Sequence, residues 1–163
     1  KKPSVIVIQD MDKSEGFGCF WGEVNSAIHL GLGVKGLVTN GAVRDLDQWA
    51  KGFSALAGSV GPSHAYTHVV DFSKSVNVYG METKDGDVIH FDSHGAVIIP
   101  VEAVKDIPKI IEMQNKKEAV ILRAVYEPGP QANAIPLIAS KPTSESNPIL
   151  SKSLSQFGRS FRS

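Results

Sequence analysis

An arginine and an aspartate stand side by side after an apolar segment of the chain. Arg44 and Asp45 follow a short apolar segment over residues 35–39 and a small-residue stretch. The planar guanidinium of an arginine binds carboxylates, and aspartate oxygens are ligands that Mg²⁺ or Mn²⁺ prefers, directly or through water. If the segment is a parallel strand, the pair lies at the sheet edge where α/β proteins bind ligands. Taken alone, the dipeptide fits a solvated arginine beside a helix N-cap better than it fits a binding site.

Glu23 is a third candidate site residue beside Arg44 and Asp45. It precedes Arg44 by a gap of twenty residues. That gap accommodates the helix and returning strand of one βαβ crossover, whose turns meet at the same edge of the sheet. We therefore expect Glu23, Arg44 and Asp45 to converge.

Glycines precede the helix that Glu23 would begin. Gly18 and Gly22 stand just before it, and its first free backbone N–H groups, around Glu23 to Asn25, would attract an anion. A small carboxylate fits such a helix start as well as a phosphate does. The segment lacks the Gly-Lys-Ser/Thr of a P-loop and a full G-x-G-x-x-G, so nucleotide binding is poorly supported.

Apolar runs and helical patterns alternate and predict an α/β fold that opens with a βαβ unit. The predicted order is a strand over 4–8, a helix over 22–30, a strand over 35–39, a turn at Asn40-Gly41 and a helix capped by Asp45 that includes Trp49. Further short strands are predicted over 53–57, 67–72, 75–79, 87–91 and 96–99. A turn at 84–86 and a hairpin connection at 92–95 separate the later ones. A helix follows over 101–124, with Pro108 splitting or kinking it.

The composition divides the chain at about residue 126. We predict one domain over 1–126 and an irregular Pro- and Ser-rich tail over 127–163. Its composition favours disorder; an arm ordered against a neighbouring subunit is the alternative.

Several separated motifs resemble the RraA-like family, which includes 4-hydroxy-4-methyl-2-oxoglutarate aldolases, oxaloacetate decarboxylases and the regulator of ribonuclease E activity. They are FWGE at 20–23, TNGAVRD at 39–45, FSALAGSVGP at 53–62 and GDVIHFDSHGAVIIP at 86–100. The resemblance covers roughly residues 4–124. It implies a swivelling β/β/α domain, assembled as a homotrimer or a dimer of trimers with active sites between subunits.

The resemblance also implies residue roles. Glu23 would position a metal-bound water, Arg44 would contact the substrate, and Asp45 would anchor Mg²⁺ or Mn²⁺. The helix start, at Gly22, Val24 and Asn25, would hold the carboxylate of a 2-oxo acid.

The chain departs from the family pattern in two places. The N-terminal segment that usually precedes the first strand is absent, which would leave the site incomplete if a neighbour's acidic residues come from it. Asn40 stands where many relatives have an aspartate.

Composition narrows the function classes. The chain has 163 residues, 42% of them hydrophobic, and seventeen basic residues balance seventeen acidic ones, so no net field favours nucleic acid or an anionic membrane. The apolar runs are far shorter than the roughly 20 residues that span a bilayer. The lone Cys19 is typical of a reducing compartment, and we expect a cytoplasmic protein.

The pairs His64/His68 and His90/His94 are assigned structural roles, because their spacing matches a metal site only on a helix.

The leading hypothesis is a lyase that uses Mg²⁺ or Mn²⁺ to cleave a carbon–carbon bond of a 2-oxo acid through a pyruvate enolate. Retro-aldol cleavage and oxaloacetate decarboxylation both fit. The alternatives are a non-catalytic regulator that binds ribonuclease E and an inactive paralogue.

Overall fold

The computed structural model describes residues 3–126, which contain seven strands and two α-helices. The strands are β1 (Ser4–Ile8), β2 (Val34–Val43), β3 (Ser54–Val60), β4 (Val76–Val78), β5 (Met81–Thr83), β6 (Val88–Asp92) and β7 (Gly95–Ile99). The helices are α1 (Glu23–Leu32) and α2 (Ile107–Tyr126), and 3₁₀ turns lie at Leu46–Gln48 and Val101–Asp106. The predicted α/β class is confirmed.

A parallel sheet of order β1-β2-β3 carries the first part of the chain. Helix α1 connects β1 to β2, and it ends at Gly33, whose φ of 98° favours glycine. The predicted βαβ unit is therefore confirmed. It places the end of β2 and the start of α1 at the same edge of the sheet.

The central strand carries much of the core. Residues 36–43 of β2 are all buried, as expected for a parallel strand covered on both faces. Trp21, Leu37, Val43 and Phe53 form one buried cluster, in which the Trp21 and Phe53 rings stack 5.6 Å apart. Two of its members, Trp21 and Val43, form an isolated bridge and directly precede the turns that carry the predicted site residues.

The predicted Asn40-Gly41 turn is wrong, because β2 continues through both residues to Val43. The register with β3 shifts there: Thr39 pairs with Ala57 and Ala42 with Ser59, so two residues of β2 face Gly58 alone. This is a β-bulge. A Cβ at Gly58 would overlap the carbonyl oxygen of Asn40, to which the Tyr79 hydroxyl donates a hydrogen bond of 3.3 Å.

The Asn40 side chain ties the end of β1 to this bulge. Its Oδ1 accepts a hydrogen bond of 2.7 Å from the Asp10 N–H, and its Nδ2 donates one of 3.0 Å to the Asp10 carbonyl. Asn40 is buried, with 4% of its surface exposed. An aspartate could not donate the second bond. At this position an amide therefore has a structural use that an aspartate would not serve.

Beyond β3 the chain forms two antiparallel hairpins, β4-β5 and β6-β7. The predicted hairpin at 92–95 and the turn at 84–86 are confirmed. The strand predicted over 67–72 is wrong, since those residues pair with no strand in the described part of the chain. Their large side chains are exposed, including Val69, Val70 and Phe72.

A second compact unit begins at Glu102. Its 3₁₀ turn converts to α2 at Ile107, one residue before Pro108. Proline lacks an N–H and is tolerated in a first helical turn, so the predicted split is confirmed. The domain boundary at 126 stays a prediction, and the tail over 127–163 lies outside the described residues. Neither helix in the described range has the length and apolarity to cross a membrane.

We expect Asn40→Asp to destabilise the protein by about 1–3 kcal/mol at neutral pH, since the Asp10 carbonyl loses its donor and a charge is buried. Burial raises the pKa of the introduced carboxyl, and its protonated form can donate, so the penalty should shrink as the pH falls. Urea unfolding at several pH values measures both effects.

Asn77→Asp is the matched control. Asn77 is exposed, and its Oδ1 only accepts a bond of 2.8 Å from the Gly80 N–H, which a carboxylate retains. Its stability should stay within about 0.5 kcal/mol of the wild type, as for most surface substitutions. Equal losses in the two variants would contradict the structural role of the Asn40 amide.

Candidate functional site

The structure brings the three predicted site residues to one place. Glu23 is the first residue of α1, and Arg44 and Asp45 directly follow β2. The Glu23 N–H lies 3.4 Å from Asp45 Oδ2, and the Arg44 N–H donates a 2.9 Å hydrogen bond to the Trp21 carbonyl. The start of the helix and the end of the strand are therefore in direct contact.

Gly22 makes this contact possible. A Cβ at Gly22 would overlap Asp45 Oδ2 and lie 3.0 Å from Arg44 Cγ. The backbone of Gly22 is extended and open to any residue, so the requirement for glycine comes from space alone. Asp45 thus packs its carboxylate against the N-terminal end of α1, where the helix dipole favours negative charge.

Arg44 is held with part of its guanidinium free. Its Nε lies 3.2 Å from Asp45 Oδ2, and Nη1 donates to the Cys19 carbonyl. Within the described residues Nη2 has no partner, and 22% of the side chain is exposed. The cation is fixed by the protein on one side and offers hydrogen-bond donors on the other.

Cys19 supports Arg44 from a buried position. Its surface is 0% exposed, its thiol donates to the Gly61 carbonyl at 3.2 Å, and its N–H donates to the Ser63 carbonyl at 2.9 Å. Cys19 is therefore a small buried residue of the site's surroundings. Its backbone carbonyl is the feature that sequence reasoning missed, since any residue type supplies one.

The start of α1 retains free donors. The first helical bond runs from the Ser26 N–H to the Gly22 carbonyl at 3.0 Å. The N–H groups of Val24 and Asn25 have no partner among residues 3–126. The Asn25 side chain instead closes the preceding turn by donating a 2.6 Å bond to the Phe20 carbonyl. The predicted anion-binding helix start thus consists of backbone groups.

Asp45 does not cap a helix as predicted. It adopts the left-handed conformation, with φ 57° and ψ 39°, makes no side-chain cap bond, and precedes only the short 3₁₀ turn. This conformation costs roughly 1–2 kcal/mol for a residue with a Cβ, although aspartate tolerates it better than most. The capping prediction failed because the carboxylate turns back toward Arg44 and Glu23.

Trp49 is a second residue near the site that the sequence pattern missed. Its indole Nε1–H donates a 2.6 Å hydrogen bond to the Arg44 carbonyl, the peptide group that joins Arg44 to Asp45. A bond of this kind contributes about 0.5–1.5 kcal/mol, similar to the cost of the Asp45 backbone conformation. The usable signal in the sequence is a side chain with an N–H shortly after the Arg-Asp pair.

The carboxylates present suit Mg²⁺ or Mn²⁺, which keep several water ligands, better than a metal ion whose ligands all come from the protein. Asp45 Oδ1 has no partner in the described range, and the Glu23 side chain is exposed at the same turn. Among residues 3–126, no three His, Cys, Asp or Glu side chains gather into a complete ligand set. Mg²⁺ commonly binds one or two carboxylates and keeps several waters, which suits this donor set.

Two of the histidines, His90 and His94, lie in the β6-β7 hairpin and not on the turns that carry Glu23, Arg44 and Asp45. His90 and His94 flank Asp92 in the β6-β7 hairpin, with His94 Nδ1 lying 3.2 Å from Asp92 Oδ1. The His94 N–H also donates to Asp92, and these bonds hold the pKa of Asp92 below its usual value. All three side chains are largely exposed, so the arrangement forms part of a surface turn.

We expect Gly22→Ala to displace Asp45 and Arg44, because the new methyl group occupies the position of the Asp45 carboxylate. The loss of stability should be about 1–3 kcal/mol, the usual cost of overpacking. Mn²⁺ binding, followed by electron paramagnetic resonance, should weaken at least tenfold.

Gly31→Ala in the same helix serves as the control. No atom lies within 4 Å of a Cβ at Gly31. This change should stabilise the protein by about 0.5–1 kcal/mol, the ordinary helix preference for alanine, and leave Mn²⁺ binding unchanged. Mn²⁺ binding by Gly22→Ala that equals binding by the wild type would contradict the steric explanation.

Comparison with solved structures supports the fold. An uncharacterised protein from Pseudomonas syringae pv. tomato superposes with a TM-score of 0.62 at 20% identity, over 81% of this chain and 68% of that one. Streptomyces coelicolor RraAS2, described as an unusual member of the RNase ES inhibitor RraA family, gives 0.58 at 22% identity over 76% and 64%. The RNA-processing inhibitor RraA from Thermus thermophilis gives 0.52 at 19% identity over 61% and 62%. The chain thus spans less than two thirds of the length of the last two.

Sequence comparison identifies the family. No curated protein sequence matches the chain significantly. The sequence model of the RraA-like family, described as Aldolase/RraA, matches residues 1–98. That stretch includes the α1 start, the Arg44-Asp45 pair and the strands that position them. The chain therefore belongs to the RraA-like family, which includes both lyases and RNA-processing inhibitors.

Proposed function

We propose that the protein is a divalent-metal-dependent lyase that cleaves a carbon–carbon bond of a small 2-oxo acid. The observation that carries this proposal is the contact of Asp45 and Arg44 with the glycine-opened start of α1. In this contact the Arg44 guanidinium, carboxylates and free backbone N–H donors lie within one turn of each other. A 2-oxo acid needs such a set, because it carries a carboxylate beside a carbonyl that must accept negative charge.

Each group has a distinct task. The free N–H groups of Val24 and Asn25, next to Gly22, bind the substrate carboxylate at the positive end of the helix dipole. Arg44 binds the substrate through its unpaired Nη2 and stabilises the charge that builds on the 2-oxo oxygen as the bond breaks. The Arg44 contacts with Asp45 and Cys19 hold that donor in place before the reaction begins.

Glu23 moves the protons. In a retro-aldol cleavage, a water oriented by the Glu23 carboxylate relays the proton of the substrate hydroxyl to that carboxylate while the carbon–carbon bond breaks, leaving a new carbonyl and pyruvate enolate. The proton then returns to the enolate carbon. In oxaloacetate decarboxylation, the same bond breaks with loss of CO₂, and only the final protonation is needed.

Asp45 would hold Mg²⁺ or Mn²⁺. When bound, the metal ion would supply positive charge close to the oxygen on which the negative charge of the enolate develops. The homotrimer or dimer of trimers belongs to the same proposal, and sedimentation analysis distinguishes these assemblies.

We expect the purified protein with Mg²⁺ to release pyruvate from 4-hydroxy-4-methyl-2-oxoglutarate or from oxaloacetate. EDTA or Asp45→Asn should abolish the reaction. Arg44→Ala should lower kcat at least about 10²-fold, the usual effect of removing one preorganised charge-stabilising donor. Pyruvate release coupled to lactate dehydrogenase measures the rate.

Asp47→Asn is a matched control. Asp47 is exposed in the adjacent 3₁₀ turn, and its substitution removes the same charge as Asp45→Asn does. It should retain wild-type turnover, and circular dichroism of every variant should show an unchanged fold. Turnover that survives both EDTA and Asp45→Asn would refute the proposed mechanism.

The competing function is a non-catalytic regulator that binds ribonuclease E. It predicts a saturable protein complex that neither EDTA nor Asp45→Asn affects. Such a complex, together with the absence of pyruvate release from either substrate, would replace the lyase proposal.

A further inference from the structure

We propose that Trp49 is a positioning residue for the Arg44-Asp45 pair, acting through its indole N–H on the peptide group between them. Its catalytic meaning rests on the proposed function, whereas the positioning itself rests on the geometry alone. Trp49 has no direct role in binding substrate or metal in this proposal.

The Arg44 backbone is held on both sides. Its N–H donates to the Trp21 carbonyl at 2.9 Å, and its carbonyl accepts from Trp49 Nε1 at 2.6 Å. The second bond fixes the plane of the Arg44–Asp45 peptide. The φ rotation of Asp45 begins at that peptide, so the plane determines where the Asp45 carboxylate lies.

Asp45 needs such a restraint. Its positive φ is uncommon for a residue with a side chain, and no side-chain cap bond supports it. Without the indole bond, the peptide could rotate and release Asp45 toward the ordinary conformations. The carboxylate would then leave the start of α1, and Arg44 Nε would lose its partner.

Trp49 is itself anchored in the core. Its ring lies 5.7 Å from the Phe53 ring, and Phe53 stacks on Trp21. The indole therefore links the buried aromatic cluster to the edge of the sheet, and core packing restrains the site through one hydrogen bond.

The protein contains an internal control for this bond. It has two tryptophans, and the indole Nε1 of the other, Trp21, is buried without a partner in the described part of the chain. Trp49→Phe removes an indole N–H that is bonded, whereas Trp21→Phe removes one that is not. Both changes replace an indole by a phenyl ring.

Nuclear magnetic resonance of the full chain tests the positioning. We expect Trp49→Phe to shift the Asp45 backbone amide and to remove the protection of the Arg44 Nε–H from exchange with water. Trp21→Phe should leave both signals close to those of the wild type. If Trp49→Phe does not fold, benzothienylalanine at position 49, in the Trp21→Phe background, replaces only the N–H by sulfur and keeps the ring shape.

Kinetics tests the link to function. With Mg²⁺ and oxaloacetate, Trp49→Phe should lower kcat about five- to tenfold, the factor that one neutral hydrogen bond represents. KM should change less than twofold. A purely structural loss would instead lower the fraction of folded enzyme and the melting temperature without altering the Arg44 and Asp45 signals.

The two possible failures are distinguishable. Unchanged Arg44 and Asp45 signals in folded Trp49→Phe overturn the positioning role whatever the activity is. A wild-type protein that releases no pyruvate overturns the lyase proposal, and the resonance experiment still decides the role of Trp49.

Discussion

The candidate site depends on the close approach of two backbone segments at Gly22. Because this residue has no side chain, the Asp45 carboxylate lies against the first turn of α1, with Arg44 Nε beside it. The arrangement is electrostatically consistent, since the carboxylate lies between a guanidinium and the positive end of a helix. The interaction also leaves donors of Arg44 and of the helix start free for a ligand.

The surroundings of the pair show how much structure is needed to hold two charged side chains. Trp21 and Trp49 fix the Arg44 backbone, and the Cys19 carbonyl fixes its guanidinium. Cys19 is in turn tied to the segment at Gly61 and Ser63. Most of these contacts use backbone groups or indole, so the charged residues themselves are few.

Family membership alone does not select the chemistry, because one fold supports both catalysts and binding proteins. The balanced charge of the chain supplies no long-range field, so recognition of a ligand must come from local groups. Arg44 and the first turn of α1 are groups of that kind. Asn40 illustrates the opposite case, in which a position next to the site serves the sheet through its bonds to Asp10.

Much of the fold followed from patterns with a short range. The apolar run of β1, the helical spacing of α1 with glycine at its end, and the turn residues of the later hairpin each depend on neighbouring positions. The spacing of Glu23 from Arg44 also predicted their convergence, since a βαβ crossover has few geometries. Pro108 marked the start of α2 for the same local reason.

Other features were decided by tertiary contacts. Asn40-Gly41 has the composition of a turn, but burial in the central strand, together with bonds from Tyr79 and to Asp10, made it a bulge. Asp45 is a residue type that often caps helices, yet its carboxylate points toward Gly22 and Arg44 and caps no helix that follows it. The sequence by itself determined the βαβ unit and the residues at its edge. Only the tertiary structure decided their orientation, because hydrogen bonds between distant segments outweigh weak local preferences.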